Sequence, residues 1–393
     1  MIPTPHRDIT FHAFDDGGVL HRTGSHRLWV LNVTAATLWC LLDGQTAPPA
    51  LARAYGARFG LTDAAASADV SKLLATFERW GLLSGGAIED YDEAPAGDPS
   101  ARGPAPARAT EKIKGLPRET FALRDLFFSI AMADQDLAEQ WRMLFRHLGP
   151  RPQPGPAAAE FAVLQSQTGN QGLFCGWENG VAAQDGLARN EIFPWLVYRL
   201  FAHGMAGLGH RLLFHAAVVA KKGRAVLLPA PSGAGKSTLA AALTAAGWAV
   251  LSDELAVIDP QNPSVEAFAL PIGLKDKSVA PLAAFIPGLA DRPRHVRADG
   301  VGLRYFTPPD PPPDGRLPVA ALVFPHFRPG TTTRLRAIAP LAALEHLAVT
   351  GSSARPLNAE DIAATLGLAD RPCYRLHVGD LNEAVAQFER LQT

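Results

Sequence analysis

The chain has 393 residues, of which 47% are hydrophobic and 19% are charged, and its formal net charge is −1. This length exceeds that of a usual single domain, so we expect two or three domains. The composition excludes a disordered chain, and the near-zero net charge excludes a global field that would attract nucleic acid or anionic lipid.

The cysteines and the N-terminal residues indicate in which cellular compartment the protein is found. The 3 cysteines are far apart and lack metal-ligand spacing, which favours a reducing compartment and buried packing positions. The N-terminal stretch MIPTPHRDIT shows no signal-peptide pattern, and no run of about 18 apolar residues is available to cross a bilayer. We therefore expect a soluble cytoplasmic protein.

Short strands and three helices are predicted for the first part of the chain. The stretch FHAFDDGGVLHRTGSHRLWVLN contains β-type runs separated by the turn signals DDGG and TGSH. Apolar spacing then predicts helices over 33–44, 48–58 and 64–80. Thr62 or Asp63 is positioned to cap the third helix. This order predicts a small winged-helix-like module.

The stretch EAPAGDPSARGPAPARAT is rich in Pro, Ala and Gly and lacks large apolar residues. Such a segment cannot bury a core, so it is predicted to be a linker. We place the N-terminal module at residues 1–90, the linker at 91–115 and a second domain at 116–393.

The second domain mixes strands and helices. FALRDLFFSIAM is predicted to be a strand, DLAEQWRMLFRHLG an amphipathic helix, and FAVLQSQ and GLFCGWENGVAAQDG further strands. NEIFPWLVYRLFAHGMAGLGHR predicts a long helix that starts near Pro194 or is kinked there. The chain then alternates strands and short helices, which is typical of an α/β domain.

The stretch APSGAGKST at 230–238 matches the Walker A phosphate loop G-x-x-x-x-G-K-[ST] except for Ala230 at its first position. A strand over 226–228 precedes it and a helix over 236–246 follows, which is the context that a phosphate loop needs. Alanine is compatible with that first position if its backbone stays at negative φ. The alternative is a glycine-rich turn without special chemistry.

This phosphate loop predicts a nucleotide site. Lys236 would reach the terminal phosphates, and the Ser237 hydroxyl would ligate Mg²⁺. The predicted nucleotide-binding residues are Ser232, Gly233, Ala234, Gly235, Lys236, Ser237 and Thr238.

Two carboxylates follow closely, in WAVLSDELAVID. A strand over 248–251 is predicted to deliver Asp253 and Glu254 at its carboxyl end. In an open parallel sheet these residues would lie beside the phosphate loop. One carboxylate can then bind Mg²⁺ while the other takes the proton from an attacking hydroxyl. The alternative is a solvated acidic turn.

The 47-residue stretch from LFHAAVV to LAVID resembles the catalytic core of the HPr kinase/phosphorylase family. By position, the resemblance implies that His215 matches the family's histidine, Asp253 its base or acid, and Glu254 its metal-binding carboxylate. HPr kinases usually have His-Gly and Asp-Asp where this chain has His-Ala and Asp-Glu, which resembles the broader HPr-kinase-related group with other targets. A lone histidine in an apolar run is equally typical of a core residue.

Further cations lie downstream. Lys275, in LPIGLKDKS, falls where related kinases place another active-site segment. Arg297 and Arg304 are candidates for stabilising the transferred phosphate, or they are surface cations. The stretch TPPDPPPDG at 307–315 is a lid or a surface loop.

The stretches LWVLNVTAATLWCLLDG and DVSKLLATFERWGLLSG resemble the PqqD family of RiPP recognition elements. The resemblance implies three strands packed on three helices, and a leader peptide bound as an added strand. The candidate peptide-binding residues are Arg27, Leu28, Trp29, Val30, Leu31, Leu74 and Phe77. A DNA-binding winged helix is the alternative, but helix 64–80 carries only Lys72 and Arg79 against three acidic residues.

Together these features predict an N-terminal α+β PqqD-like module followed by an HPr-kinase-like P-loop α/β domain. The predicted function is an ATP- and Mg²⁺-dependent kinase that phosphorylates a side chain of a ribosomally made precursor peptide, captured through its leader segment. We expect no nucleic-acid or membrane partner, and a homo-oligomer remains open. The alternatives are a nucleotide-gated peptide chaperone or regulator, a bifunctional kinase/phosphorylase, and a transcription factor with a nucleotide sensor.

Overall fold

A computed structural model of the protein describes residues 2–22, 28–84, 113–149, 157–166, 172–351 and 357–391. The helices in these ranges are α1 (Val33–Leu41), α2 (Pro48–Phe59), α3 (Asp63–Arg79), α4 (Gln135–Leu144), α5 (Ile192–Ala206), α6 (Lys236–Thr244), α7 (Asp276–Leu282), α8 (Pro340–Thr350), α9 (Ala359–Ala369) and α10 (Leu381–Glu389).

The strands in the same ranges are β1 (Ile9–Phe14), β2 (Gly17–Arg22), β3 (Leu28–Asn32), β4 (Arg118–Leu123), β5 (Leu126–Met132), β6 (Ala159–Gln165), β7 (Phe174–Glu178), β8 (Val181–Leu187), β9 (Leu212–Lys221), β10 (Arg224–Pro229), β11 (Ala249–Ser252), β12 (Leu255–Ile258), β13 (Ser264–Glu266), β14 (Ile272–Lys275), β15 (His295–Val296), β16 (Gly302–Phe306), β17 (Arg316–Phe327), β18 (Arg334–Ala337) and β19 (Cys373–Val378). Mixed α/β content, with an N-terminal group of three strands and three helices, was predicted and is confirmed.

The chain forms two compact units. The first comprises the described residues of 1–101, 338–348 and 355–370, and the second comprises those of 102–337, 349–354 and 371–393. Two C-terminal segments therefore join the N-terminal unit, an arrangement for which the sequence gives no local signal. The predicted linker falls almost wholly outside the described residues, so its boundaries stay a prediction.

In the first unit, β1, β2 and β3 form an antiparallel sheet in that order. Asn32 caps α1 by accepting a hydrogen bond from the Ala35 N–H at 2.9 Å, and Thr62 caps α3 in the same way. The helices pack around Phe77, which is fully buried and meets the Trp39 ring edge-on with centroids 5.4 Å apart. The apolar spacing that predicts the third helix includes the buried Val70, Leu74 and Phe77, but also Trp80, which is 38% exposed.

The second unit contains two hairpins that the strand predictions did not divide. FALRDLFFSIAM forms β4 and β5 rather than one strand, because Arg124 takes a positive φ of 57° and reverses the chain. Asn179 and Gly180 have φ values of 50° and 76°, and they turn β7 into β8. Helix α5 starts two residues before Pro194, which occupies the first turn, where a proline costs no hydrogen bond.

The central sheet is mixed, so the expected open parallel arrangement was wrong. Strands β9 and β10 form an antiparallel hairpin around Lys222 and Gly223, whose φ values are 52° and 75°. On its other side, β10 pairs in parallel with β17, which in turn pairs in parallel with β19. Strands β11 and β12 pair antiparallel with β9, so β9 separates β11 from β10.

The sheet arrangement follows from local chain direction. Lys222 and Gly223 form the turn between β9 and β10. A two-residue turn of this kind joins antiparallel strands. Strand β11 nevertheless runs in the same direction as β10, because both are antiparallel to β9. The carboxyl ends of β10 and β11 therefore lie at the same edge of the sheet.

The cysteine prediction needs a correction, since Cys40 is exposed while Cys175 and Cys373 are buried. Helix α1 presents Cys40 on its outer side, with Leu38 and Trp39 facing the core. No helix in the described part of the chain is long and apolar enough to cross a membrane.

Candidate functional site

The phosphate-loop sequence lies between the end of β10 at Pro229 and the start of α6 at Lys236. Gly233 and Gly235 have φ values of 89° and 96°, which only glycine adopts without strain. Ala230 is buried and does not lie in the left-handed region, so its side chain is compatible with the loop. The departure from the Walker A pattern thus occurs where glycine is not required.

The Lys236 side chain is 5% exposed and folds back over its own loop. Its ammonium donates hydrogen bonds to the carbonyl oxygens of Ala230 at 2.6 Å and Pro231 at 3.2 Å, and it lies 3.0 Å from His215 Nε2. Burial lowers the pKa of Lys236, and Lys275 adds to this, whereas Glu254 and Asp253 oppose it. The lysine is therefore held at the centre of the loop.

His215 lies on β9, between the loop and the acidic pair. Its backbone pairs with Leu255 of β12, and Pro229 of β10 pairs with the next residue of β9. Nδ1 is 3.1 Å from the Glu254 carbonyl oxygen, an acceptor, so Nδ1 carries the hydrogen and Nε2 accepts from Lys236. Burial, followed by the charge of Lys236, lowers the pKa of His215 and favours this neutral form.

Asp253 is the buried member of the acidic pair, at 6% exposure. Burial, together with the charge of Glu254, raises the pKa of Asp253 to about 7, although Ser237, Lys236 and the Gly273 N–H favour its charged form. Its Oδ1 atom is buried without a hydrogen-bond partner. A carboxylate in this state is suited to accept a proton or to bind a cation.

Glu254 is exposed, with 55% of its side chain accessible to solvent. Its Oε2 atom lies 3.5 Å from His215 Nδ1, so it borders the same site. The two carboxylates lie in the two-residue interruption between β11 and β12, which both run antiparallel along β9. Asp253 is buried and Glu254 is exposed, so the two acids have different environments.

Lys275 also reaches the loop, since its ammonium donates to the Ser232 hydroxyl at 3.3 Å. Lys277 was not predicted, although it lies in the same quoted segment. Its Nζ atom is 3.9 Å from the point where a Cβ of Gly233 would be. Thr238 of α6 shares a 2.8 Å hydrogen bond with Ser278 of α7, which anchors this segment beside the loop.

The two candidate arginines form ion pairs with other side chains. Arg297 pairs with Asp299 on its own turn, and Arg304 pairs with Asp276 at 3.0 Å. Neither contact involves the phosphate-loop residues, and a phosphate-stabilising role for these arginines stays a prediction. Thr307, at the start of the proline-rich stretch, donates to the Leu144 carbonyl at 2.7 Å, which anchors that end of the stretch.

The candidate peptide-binding residues divide into two sets. Leu28, Trp29 and Val30 are half-buried on β3, an edge strand whose pairing within the described residues is with β2. Leu31, Leu74 and Phe77 are buried core residues, so the structure assigns them to packing rather than to a peptide surface. Arg27 lies outside the described residues.

Sequence reasoning missed Lys277 and Phe327. Lys277 lies in the first turn of α7, directly after Lys275 at the end of β14, and it reaches the loop from there. Phe327, at the end of β17, is 47% exposed, and no local sequence pattern distinguished it.

Two family models match separate parts of the chain. Residues 17–83 match "Coenzyme PQQ synthesis protein D (PqqD)", so the N-terminal module is PqqD-like. Residues 193–273 match "SynChlorMet cassette protein ScmC", and this segment contains the phosphate loop, His215 and the acidic pair.

Part of the chain is similar to a solved structure described as "TbiB1 in Complex with the TbiA(beta) Leader Peptide". The two chains are 20% identical with a TM-score of 0.20, and the alignment covers 21% of this chain and 98% of that chain. No curated protein matches the chain.

Proposed function

We propose that the protein is a nucleotide-dependent phosphotransferase that acts on a ribosomally made peptide. The observation that carries this proposal is the convergence of Lys236, His215 and Asp253 around a glycine loop at a strand–helix junction. Lysine and loop amides favour anionic phosphates, and a buried carboxylate favours proton transfer.

The residues present fit ATP with Mg²⁺. The positive-φ glycines form a loop before a helix N-terminus, a geometry that binds phosphates through backbone N–H groups. The unpartnered Oδ1 of Asp253, the Ser237 hydroxyl and the nearby Glu254 are oxygen donors of the kind that Mg²⁺ prefers. Among the described residues, no group of three or more His, Cys, Asp or Glu side chains is arranged to hold a metal ion by itself. Mg²⁺ typically needs only one or two carboxylates, because substrate phosphates supply further oxygen ligands.

When bound, ATP with Mg²⁺ supplies the phosphoryl group and leaves as ADP. Asp253 takes the proton from the acceptor hydroxyl as the hydroxyl oxygen bonds to phosphorus, and its buried position with an unpartnered Oδ1 suits this role. Lys236 exchanges its carbonyl contacts for phosphate oxygens and stabilises the charge there. His215 is a positioning residue that accepts from the lysine ammonium.

The PqqD-like module supports a peptide as the phosphate acceptor. Strand β3 ends its sheet, and an edge strand can accept a peptide through main-chain hydrogen bonds. Trp29 is half-buried on this strand, as are Leu28 and Val30. These side chains offer apolar surface to the side chains of a peptide. Fusing this module to the phosphate-loop domain raises the effective concentration of the acceptor.

Mass spectrometry of a candidate precursor peptide, chosen from short reading frames beside this gene, after incubation with ATP and Mg²⁺ tests the proposal. We expect a gain of about 80 Da on the peptide, the mass of one phosphoryl group. Asp253→Asn is expected to abolish this gain while nucleotide still binds, whereas Asp125→Asn, on the exposed β4–β5 turn, is expected to leave it unchanged. ADP release with an unmodified peptide would instead support a nucleotide-gated chaperone.

A further inference from the structure

The position of the phosphate loop within the sheet determines where the rest of a nucleotide can lie. Strand β10 lies between β9 and β17, since Val226 pairs with Val219 on one side and with Ala321 on the other. The acidic pair and His215 occupy the β9 side of the loop. A nucleoside attached to the loop-bound phosphates would therefore extend toward the β17 side, along the carboxyl ends of the strands.

Strand β17 ends on that side with an exposed aromatic residue. Phe327 is 47% exposed, and its Cβ lies 3.5 Å from the point where Gly235 would carry a Cβ. Gly235 is the last residue of the loop before α6. The contact therefore places an accessible aromatic side chain directly beside the end of the phosphate loop.

The backbone around Phe327 is fixed by the neighbouring strand. Phe327 pairs with Val378 in the parallel register of β17 and β19, and the Arg328 N–H donates to the Val378 carbonyl at 2.9 Å. Further along, the Thr333 hydroxyl accepts from the N–H groups of Gly379 and Asp380 at 3.1 and 3.0 Å. The backbone that carries this aromatic side chain is therefore anchored before any ligand arrives.

We propose that Phe327 is the stacking surface for the base of a nucleoside triphosphate, and this proposal rests on the proposed function. Every nucleobase has a π-face, and stacking on an aromatic side chain strengthens binding by about tenfold or more. The nucleotide would then run from the acidic pair, past Gly235, to the end of β17. Phe327 is a binding residue in this arrangement and takes no part in the transfer of the phosphoryl group.

Isothermal titration with ATP and with inorganic triphosphate, both with Mg²⁺, separates the base from the phosphates. We expect Phe327→Ala to weaken ATP binding by about tenfold and to leave triphosphate binding unchanged. Phe327→Trp retains an aromatic face and is expected to bind ATP as the native protein does. Tyr198→Ala removes an aromatic side chain that is 51% exposed on α5 and serves as the matched control with unchanged binding.

Two results would overturn the base-stacking proposal. If Phe327→Ala binds ATP as tightly as the native protein, the side chain does not contact the base. If the variant loses ATP and triphosphate affinity equally, Phe327 supports only the loop. A third result is distinct from both. If the native protein binds neither ATP nor triphosphate, the proposed function is refuted, and the base-stacking proposal with it.

Discussion

Replacing Asp253 by Asn tests the electrostatic environment of the site through stability. Burial and Glu254 raise the pKa of this carboxyl from 3.8 to about 7 in the folded chain. Folding therefore disfavours its ionised form, and the penalty grows as pH rises from the unfolded pKa to the folded pKa. Asn keeps the shape of the side chain and removes the ionisation.

The magnitude follows from linkage. With pKa values of 3.8 unfolded and about 7 folded, the penalty is about 2 kcal/mol at about pH 5 and about 4 kcal/mol at about pH 8. Asp253→Asn also removes the hydrogen bonds and the charge interactions of the carboxyl group. This loss changes the free energy of unfolding by an amount that varies little with pH, so it cancels when two pH values are compared. The free energy of unfolding of Asp253→Asn, relative to the native protein, should thus increase by about 2 kcal/mol between these pH values.

Native-state hydrogen exchange, without nucleotide or divalent ions, measures this difference. The slowest amides of β9 and β10 report the opening of the sheet that carries the site, and comparing two proteins at one pH cancels the intrinsic exchange rate. An identical pH dependence in the native protein and the variant would refute the buried-carboxylate reasoning.

Asp259→Asn is the matched control for this experiment. Burial raises the pKa of Asp259, but the Gln261 N–H, Arg211 and Arg316 outweigh it and hold the pKa below its ordinary value. Asp259 is therefore ionised in both folded and unfolded chains above about pH 5, so its replacement should destabilise the sheet by a pH-independent amount.

Three further predictions follow from local geometry. Gly235→Ala forces a side chain onto a φ of 96° and should weaken triphosphate binding by about tenfold in titration calorimetry, whereas Gly247→Ala, at a φ of 76° beyond the same helix, should not. Lys277→Ala should weaken triphosphate binding by about two- to fivefold, and the loss of affinity should be larger at low salt. Lys222→Ala should leave triphosphate binding unchanged. Asn32→Ala removes the α1 cap, so amide exchange in that helix should quicken by about fivefold, and unchanged exchange would contradict the capping role.

The sequence by itself located the catalytic candidates because their signals are local. Gly233, Gly235 and Lys236 are specified by backbone conformation and by one helix N-terminus, so their order in the chain is sufficient to identify them. The N-terminal helices were predicted for the same reason, since caps and apolar spacing act within a few turns. The resemblance matched His215 to a family histidine, and the structure adds its 3.0 Å contact with Lys236.

Only the tertiary structure determined which strands are neighbours and which side chains are buried. A tight turn after β9 makes the central sheet mixed, and this pairing places His215 between the loop and Glu254. Burial raised the pKa of Asp253 above that of an ordinary acidic turn, because desolvation depends on packing from all sides. Phe327 lies 92 positions after Gly235, and only parallel pairing across β10 and β17 brings them together.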